Sequence, residues 1–249
     1  GDKVYFRHNS SMQLPDGTDI SIFSGTHCSH VIMDPVQSHG FALLPEGVND
    51  DVASMFVMPA VGLHGVDMAN PHVGDTVIVY GCGLIGLGVV NACSNRGCVV
   101  VAIDIDADRL ALARKMGATR TVDVQNEQLN DVMGQLGMTE GFDVGLEMSG
   151  NPSAFNDMLA NMCHGRTIAM LGIPEKEMAI DWNKVVFNML TIKGIYGREM
   201  YEPWYKMTGM LQSGLDIAPV ITHRYKFAEY EQGFAIALSG ESGKVILEW

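Results

Sequence analysis

Three glycines and one aspartate form the strongest chemical pattern in the chain. Gly81, Gly83 and Gly86 make a G-x-G-x-x-G motif directly after an apolar run, and Asp104 closes the next apolar run. In such a motif the glycines allow a tight turn, close approach of the backbone to a pyrophosphate, and close packing of helix on strand. The helix that follows presents free N–H groups to phosphate, and the acid can accept ribose hydroxyls. The spacing therefore predicts a dinucleotide site.

Alternating strands and helices are predicted to position these residues. The predicted strands start at residues 77, 98, 120, 142, 166 and 190, and the predicted helices cover 84–95, 108–116, 126–136, 153–163 and 181–187. This alternation indicates a parallel sheet with helices on both faces and right-handed crossovers. The fold class that we expect is α/β with a doubly wound parallel sheet, whose ligand lies at the carboxyl ends of the strands.

The segments on either side of this region have a different pattern. Residues 1–45 alternate in polarity and carry turn signals such as Pro15-Asp16-Gly17, which indicates short strands and loops. The tail predicts helices over 202–212 and 227–238 and a strand over 244–248. Strand-rich segments before and after a nucleotide domain suggest that this domain is inserted into a second one.

Composition narrows the possible partners and the compartment. Lys and Arg number 16 against 29 Asp and Glu, a net charge of −13, so we expect neither nucleic acid nor membrane as a partner. The longest apolar stretch, 77–90, is too short to span a bilayer, and we see no leader pattern, so we expect a cytoplasmic chain. The five cysteines contain no C-x-x-C pair, which favours buried thiols over a disulfide framework.

The chain resembles the medium-chain dehydrogenases. The segments that carry this resemblance are 113–117, 129–133, 137–150, 169–174, 192–200, 204–207, 221–224 and 242–247. From about residue 111 to the end, the resemblance is to the branch that oxidises the 3-hydroxyl of L-threonine. Residues 1–110 resemble the family only generally, through segments such as Leu44-Pro-Glu-Gly-Val and Val73-Gly-Asp-Thr-Val.

The resemblance implies a domain plan and an activity. Residues 1–60 would be the remnant of a GroES-like catalytic domain, 61–198 an NAD-binding Rossmann domain, and 199–249 helices and a strand returning to the catalytic domain. The implied reaction is NAD-linked oxidation of a secondary alcohol, with L-threonine as the small-molecule substrate and 2-amino-3-oxobutyrate as the product. The resemblance also implies a homo-oligomer, either a dimer or a tetramer.

The resemblance also implies a set of cofactor contacts. The expected cofactor-binding residues are Gly81, Gly83, Leu84, Ile85, Gly86, Asp104, Arg109, Ser149, Leu171, Gly172, Ile173, Ile195 and Tyr196. Ile85 would press on the nicotinamide or its ribose, 171–173 would meet the nicotinamide ring, and 195–196 its carboxamide. Asp104 and Arg109 would reach the adenosine ribose. The charge of Asp104 favours NAD over NADP, because it would repel a 2′-phosphate.

The metal half of the family pattern is not matched. The family binds zinc through a cysteine and a Gly-His-Glu segment that precede the stretch with which this sequence starts, and through an acid where Val57 aligns. Its four-cysteine zinc lobe would lie between residues 6 and 24, which hold no cysteine. His27, Cys28 and His30 suggest a metal cluster, but in a strand His27 would point away from the other two. We expect no metal site, and hence no Lewis acid to lower the pKa of the hydroxyl.

Two roles are possible for each of three further residues. His64 matches a family position near the predicted cleft, and a structural histidine is favoured over a catalytic base. Glu147 ends a strand near the expected adenine pocket, where fold geometry is favoured over acid chemistry. Arg198 could meet the substrate carboxylate or the pyrophosphate. No catalytic residue is assigned, and two hypotheses remain: an NAD-dependent oxidoreductase, or a truncated or hybrid NAD-binding chain without turnover.

Overall fold

The structure, a computed structural model, describes residues 4–6, 12–13, 15–20, 41–197, 199 and 201–249. By its contacts the chain divides into two units, residues 1–53 and 54–249. The described residues of the first unit form four short strands: β1 (Val4–Phe6), β2 (Met12–Gln13), β3 (Asp19–Ile20) and β4 (Phe41–Leu43). β1 pairs antiparallel with β4, and β2 antiparallel with β3. The candidate residues His27, Cys28, His30 and Arg198 lie outside the described residues.

From residue 50 onward the described chain forms helices and strands in near-regular alternation. The helices are α1 (Asp50–Met55), α2 (Val57–Ala69), α3 (Leu84–Asn95), α4 (Ala107–Lys115), α5 (Leu129–Gln135), α6 (Pro152–Ala160), α7 (Trp182–Phe187), α8 (Glu202–Gln212) and α9 (Tyr230–Ser239). The strands are β5 (Thr76–Tyr80), β6 (Val99–Asp104), β7 (Arg120–Asp123), β8 (Phe142–Glu147), β9 (Met162–Met170), β10 (Thr191–Gly194), β11 (Ile221–Lys226) and β12 (Lys244–Glu248).

Six of these strands form one parallel sheet in the order β7-β6-β5-β8-β9-β10. The chain runs outward from β5 to β7, then returns to the other side of β5 and continues from β8 to β10. This confirms the predicted α/β class with a doubly wound parallel sheet. In such a sheet the strand order reverses between the two central strands, here β5 and β8, and their carboxyl ends border a crevice that can hold a ligand.

The helix starts follow local capping. The predicted starts at residues 108 and 153 shift slightly, because α4 begins after Asp106 and α6 after Asn151. Asp106 accepts hydrogen bonds from the backbone N–H groups of Asp108 and Arg109, at 2.8 and 3.1 Å. Asn151 accepts one from Ser153 N–H at 2.8 Å, and Pro152 occupies the first turn of α6. Both caps satisfy N–H groups that have no partner within their own helix.

β9 differs from its prediction for a long-range reason. A helix was expected up to residue 163 and a strand from 166, with Gly165 as the stop. Instead β9 begins at Met162, which pairs with Phe142 of β8, and the register shifts before the pairing resumes. Gly165, with a φ of 73°, lies within this irregular part of the strand. Pairing with β8 therefore extends the strand through a residue whose local preference is to end an element.

The C-terminal segment forms a small two-stranded sheet covered by a helix. β11, which the sequence pattern did not predict, pairs in parallel with β12, and α9 packs against both strands. Burial alternates along β11, so one of its faces is covered and the other is solvated. The predicted helix 202–212 and strand 244–248 have the bounds of α8 and β12.

Two packing layers support the crevice. One face of β5, β6 and β8 is covered by an apolar cluster that includes Ile78, Ile103, Phe155 and Met158, all at most 1% exposed. A second layer is formed by helices, in which α2 packs against α3 and α8. Within the described parts of the chain, no helix combines the length and apolarity needed to cross a bilayer.

Candidate functional site

The glycine turn after β5 has a separate structural requirement at each glycine. Gly81 has a φ of 91°, and a Cβ atom there would lie 2.9 to 3.0 Å from Ser149. A Cβ on Gly86 would overlap the carbonyl of Gly81, so α3 lies directly against the turn. Gly83 differs, because a Cβ there would meet nothing within 4 Å. Its missing side chain therefore leaves open space at the start of α3, where a ligand can approach the backbone.

The N-terminus of α3 is open to an anion. Gly83 is its N-cap residue and has no side chain with which to cap the first turn. Leu84 and Ile85, both half-buried, follow in that turn. Unpaired N–H groups and the positive end of the helix dipole stabilise phosphate in this position. The start of α3 thus has the geometry that phosphate binding requires.

A cavity of about 550 Å³ opens at the carboxyl ends of β5, β6 and β8. Its volume falls within the range typical of small-molecule sites. Five of the predicted cofactor contacts line it, namely Gly81, Gly83, Asp104, Arg109 and Ser149. The structure thus brings together residues from three different strand ends that the sequence singled out separately.

Asp104 is held in the cavity wall by three backbone donors. Its Oδ2 accepts a hydrogen bond from Cys82 N–H at 2.7 Å, and its Oδ1 accepts from the N–H groups of Ile105 and Asp106 at 2.8 and 3.0 Å. A carboxylate offers about four acceptor positions in all. One position, on Oδ2, is therefore still available to a ribose hydroxyl while these bonds persist.

Arg109 is less free than the sequence suggests. Its guanidinium donates to the backbone carbonyl of Gly240, just after α9, and its Nε lies 4.0 Å from Asp106. The side chain still lines the cavity. The bond to Gly240 links the cavity to the C-terminal segment, a connection that no local pattern indicated.

A buried tyrosine–carboxylate pair in the cavity wall was not predicted. The Tyr80 hydroxyl donates to Asp157 of α6, and Tyr80 is 3% exposed. Burial, and next the hydrogen bond to Asp157, raise the pKa of Tyr80 far above its ordinary value of 10.0. The phenol therefore stays protonated at neutral pH. The only sequence signal was the position of Tyr80 immediately before the first glycine.

Glu147 is a fully buried acid beside the cavity. It ends β8, has 0% exposure, and accepts hydrogen bonds from the hydroxyl and N–H of Ser149 and from the N–H of Gly150. These contacts agree with the expectation that Glu147 serves the geometry of the fold. Met148 and Ser149 line the cavity and Glu147 does not, so the carboxylate of Glu147 lies behind the cavity lining.

The predicted nicotinamide contacts lie apart from the cavity lining. Leu171 and Ile195 approach α2 at Gly65, where a Cβ would meet them at 3.6 and 4.0 Å. Ile195 N–H donates to the carbonyl of Met170 at 2.8 Å, which continues the sheet past β10. Ile173 and Tyr196 are 78% and 91% exposed. These residues, with Gly172, form a second surface on the other side of the Ser149–Gly150 turn.

The described residues do not by themselves form a zinc site. Among residues 4–6, 12–13, 15–20, 41–197, 199 and 201–249, no three His, Cys, Asp or Glu side chains are grouped so that they could hold a metal ion. Val57 begins α2, and His64 lies half-buried on the same helix. The described residues therefore do not supply a complete set of zinc ligands.

Known sequences are similar to this chain over most of its length. The sequence profile of the family described as zinc-binding dehydrogenase matches residues 85–213. An L-threonine 3-dehydrogenase of Solibacter usitatus is 57% identical over 205 residues, which cover 82% of this chain and 60% of that protein. The L-threonine 3-dehydrogenase of Aliivibrio salmonicida is 55% identical over 207 residues, which cover 83% of this chain and 60% of that protein. The chain thus spans about 60% of the length of these relatives.

Comparison with solved structures supports the same fold. An Escherichia coli alcohol dehydrogenase complexed with NADH matches with a TM-score of 0.77 and 19% identity, over 84% of this chain and 63% of that one. The 2R,3R-butanediol dehydrogenase of Bacillus subtilis matches with a TM-score of 0.76 and 23% identity, over 84% and 61%. With the family profile covering more than half of its residues, the chain belongs to the zinc-binding dehydrogenases of the medium-chain superfamily.

Proposed function

We propose that this chain binds NAD in the cavity beyond β5, β6 and β8 and provides the cofactor half of an L-threonine 3-dehydrogenase. The observation that carries the proposal is the single cavity shared by Asp104, Gly81 and Gly83. Asp104 offers an acceptor for ribose, Gly83 offers open space, and the start of α3 offers N–H groups for the pyrophosphate. The adenosine ribose and the pyrophosphate of a dinucleotide thus each have a matching group in this cavity.

The choice of NAD over NADP rests on the charge of Asp104. Three backbone N–H groups fix its carboxylate in the wall, so it cannot swing away from a ligand without losing those bonds. A 2′-phosphate next to a fixed carboxylate is repelled, whereas a 2′-hydroxyl can donate to it. Arg109, a cation that lines the same cavity, already donates to the carbonyl of Gly240. The balance of charge therefore favours the unphosphorylated cofactor.

The proposed reaction is oxidation of the 3-hydroxyl of L-threonine to 2-amino-3-oxobutyrate. Its support is the 53–57% identity to proteins named L-threonine 3-dehydrogenase and the family profile. Bound NAD would supply the acceptor for the hydride. The described residues that line the cavity would bind and orient that cofactor. The cytoplasm remains the predicted compartment.

The experiment is a titration of NADH and NADPH followed by cofactor fluorescence. We expect the wild-type chain to bind NADH more tightly than NADPH, and Asp104→Ser to reduce or reverse this preference by about tenfold, a change equivalent to about 1.4 kcal/mol. Asp108→Ser is the matched control, because it removes the same charge from an exposed site that does not line the cavity. An unchanged preference in Asp104→Ser would contradict the ribose assignment.

A second candidate function is cofactor binding without turnover. It is favoured by one observation: among the described residues, no three His, Cys, Asp or Glu side chains lie close enough together to hold a metal ion. NADH production from L-threonine, measured with and without added zinc, separates the two candidates. Turnover supports the dehydrogenase, whereas NADH binding with no turnover under either condition supports the binding protein.

We also propose that the chain forms a homo-oligomer, a dimer or tetramer, through the β10 edge of the sheet. β10 is an edge strand, and the adjacent α7 region exposes Trp182, Val186, Phe187 and Met189 by 62% to 75%. An exposed strand edge beside an apolar patch is costly to leave in water. Sedimentation velocity should show a dimer or larger species, and a monomer at micromolar concentration would rule the proposal out.

A further inference from the structure

The carboxylate of Glu147 is shielded from water and lies beside the 149–150 turn. This turn lies between the glycine turn after β5 and the segment 171–173 at the end of β9. Glu147 is 0% exposed, and both of its carboxylate oxygens accept hydrogen bonds. Its hydrogen-bond donors among the described residues are neutral: the N–H and hydroxyl of Ser149 and the N–H of Gly150. Burying an acid away from water is unfavourable unless hydrogen bonds compensate it.

All of the donors come from one turn. Oε1 accepts from Ser149 N–H at 3.0 Å and from Gly150 N–H at 3.2 Å, and Oε2 accepts from Gly150 N–H at 2.9 Å. The Ser149 hydroxyl donates as well. An ionised carboxylate, which only accepts, matches a set of groups that can all donate. The side chain therefore fixes the direction of two successive peptide N–H groups.

This turn is wedged between the two halves of the proposed site. On one side it touches Gly81, where a Cβ would lie 2.9 Å from Ser149 N. On the other side a Cβ on Gly150 would lie 2.6 Å from the carbonyl oxygen of Ile173. Gly172 has no room for a side chain either, because a Cβ there would overlap Gly150 N and Glu147 Oε2. The phosphate turn and the end of β9 thus meet through the 149–150 turn with no intervening side chain.

The backbone of Glu147 adds a second link to the same segment. Its carbonyl oxygen accepts hydrogen bonds from the N–H groups of Leu171 and Gly172, both at 2.9 Å. The segment 171–173 is the one proposed to meet the nicotinamide. By contrast, the carboxylate of Asp104 accepts hydrogen bonds from the N–H groups of Cys82, Ile105 and Asp106 and, within the described part of the chain, none from Glu147 or the 149–150 turn. The ribose contact is therefore independent of Glu147, and the nicotinamide contact is not.

We propose that Glu147 is a positioning residue that sets the nicotinamide half of the cofactor site relative to the adenosine half by fixing the 149–150 turn between them. This inference rests on the proposed NAD function. It differs from a general structural role in one measurable way. Loss of the carboxylate should weaken contacts to the nicotinamide and spare contacts to the adenosine diphosphate ribose.

The test compares two ligands that differ only by the nicotinamide, NADH and ADP-ribose, by calorimetry on the full chain. In Glu147→Ala we expect NADH affinity to fall by about tenfold or more, as for the loss of one or two buried hydrogen bonds, with ADP-ribose affinity changing by less than about threefold. Glu147→Gln keeps the size and one acceptor oxygen, so it should fall between the alanine variant and the wild type. It also carries the test if the alanine variant does not fold.

Glu140→Ala is the control, because Glu140 is exposed and belongs to the turn before β8. Equal losses for both ligands, or NADH affinity within about twofold of wild type in both Glu147 variants, would overturn the positioning role. Wild-type protein that binds neither ligand would overturn the NAD proposal itself and this inference with it. Wild-type binding of ADP-ribose with no selective loss in the variants would overturn only the inference.

Discussion

Substitution by alanine should have different effects at two glycines of the phosphate turn, Gly86 and Gly83. A methyl group on Gly86 would overlap the carbonyl oxygen of Gly81, far inside the 3.0 Å that real Cβ contacts respect. The carbonyl oxygen belongs to the backbone, and the position of the methyl carbon is fixed by the backbone of α3. Neither can rotate away, so α3 would have to move away from the turn. A methyl group on Gly83 would meet nothing within 4 Å, and its φ of −67° is accessible to alanine. Gly86→Ala should therefore damage the fold, and Gly83→Ala should damage only the ligand site.

The size of each effect can be worked from these contacts. Overpacking a well-packed core costs about 1–3 kcal/mol, and a clash between backbone atoms falls at or above the upper end of that range. For a chain of this length, about 3 kcal/mol lowers the melting temperature by roughly 6–12 °C. Gly83→Ala should change stability by less than about 1 kcal/mol, since a slightly poorer N-cap offsets a smaller entropy loss on folding. Its NADH affinity should fall by at least about tenfold, because the methyl group occupies the pyrophosphate path.

The assay pairs thermal unfolding, followed by circular dichroism, with NADH titration for both variants and the wild type. Gly134→Ala serves as a control, since a Cβ at this exposed helical glycine meets nothing within 4 Å and lies far from the cavity. A Gly86→Ala protein that melts with the wild type would refute the close approach of α3 to the turn. A Gly83→Ala protein with wild-type NADH affinity would show that the pyrophosphate does not pass this residue.

Two further predictions concern charges near the site. Burial raises the pKa of Asp67, but hydrogen bonds from Arg96 and Lys206 outweigh it, so its pKa lies below the ordinary value of 3.8. Asp67→Asn should therefore cost about 1 kcal/mol at neutral pH, and the loss should disappear as the pH falls through 3.8 and below; a constant difference between urea melts down to pH 3 would contradict this. The raised pKa of Tyr80 stabilises the fold below pH 10.0, and that stabilisation is lost as the pH rises above this value. Tyr80→Phe should cost about 2 kcal/mol at pH 7 by removing the hydrogen bond to Asp157 Oδ2, and the cost should shrink in alkali; tyrosinate absorbance at 295 nm that differs between the two folded proteins at pH 11 would count against it.

The order of elements was readable because its signals are local. Apolar runs, helix periodicity and stop residues lie within a few positions of the elements they define, so α3, α8 and β12 were predicted with their observed bounds. β9 was not, because its first residues become a strand only by pairing with β8. β11 was missed for the same reason, since its partner is β12, some twenty residues further along the chain.

Part of the site followed from the sequence in the same way. Gly81, Gly83 and Asp104 were identifiable because each glycine has a conformational requirement and the acid closes a strand. Tyr80 and Asp157 were not, because nothing in either segment shows that α6 passes over the end of β5. The link from Arg109 to Gly240 joins residues more than a hundred positions apart, which no motif can indicate.

The sequence by itself determined that this chain carries a dinucleotide turn, an acid for ribose and an alternating α/β pattern, because these depend on residue type and short spacing. Only the tertiary structure decided which strand ends meet, and therefore which side chains share the cavity. It also decided the contacts of Glu147: the sequence places this acid at the end of a strand, but its full burial and its neighbours follow only when β8, β9 and the phosphate turn pack together. The physical reason is that burial and hydrogen-bond partners are set by contacts between distant segments, and these exist only in the folded chain.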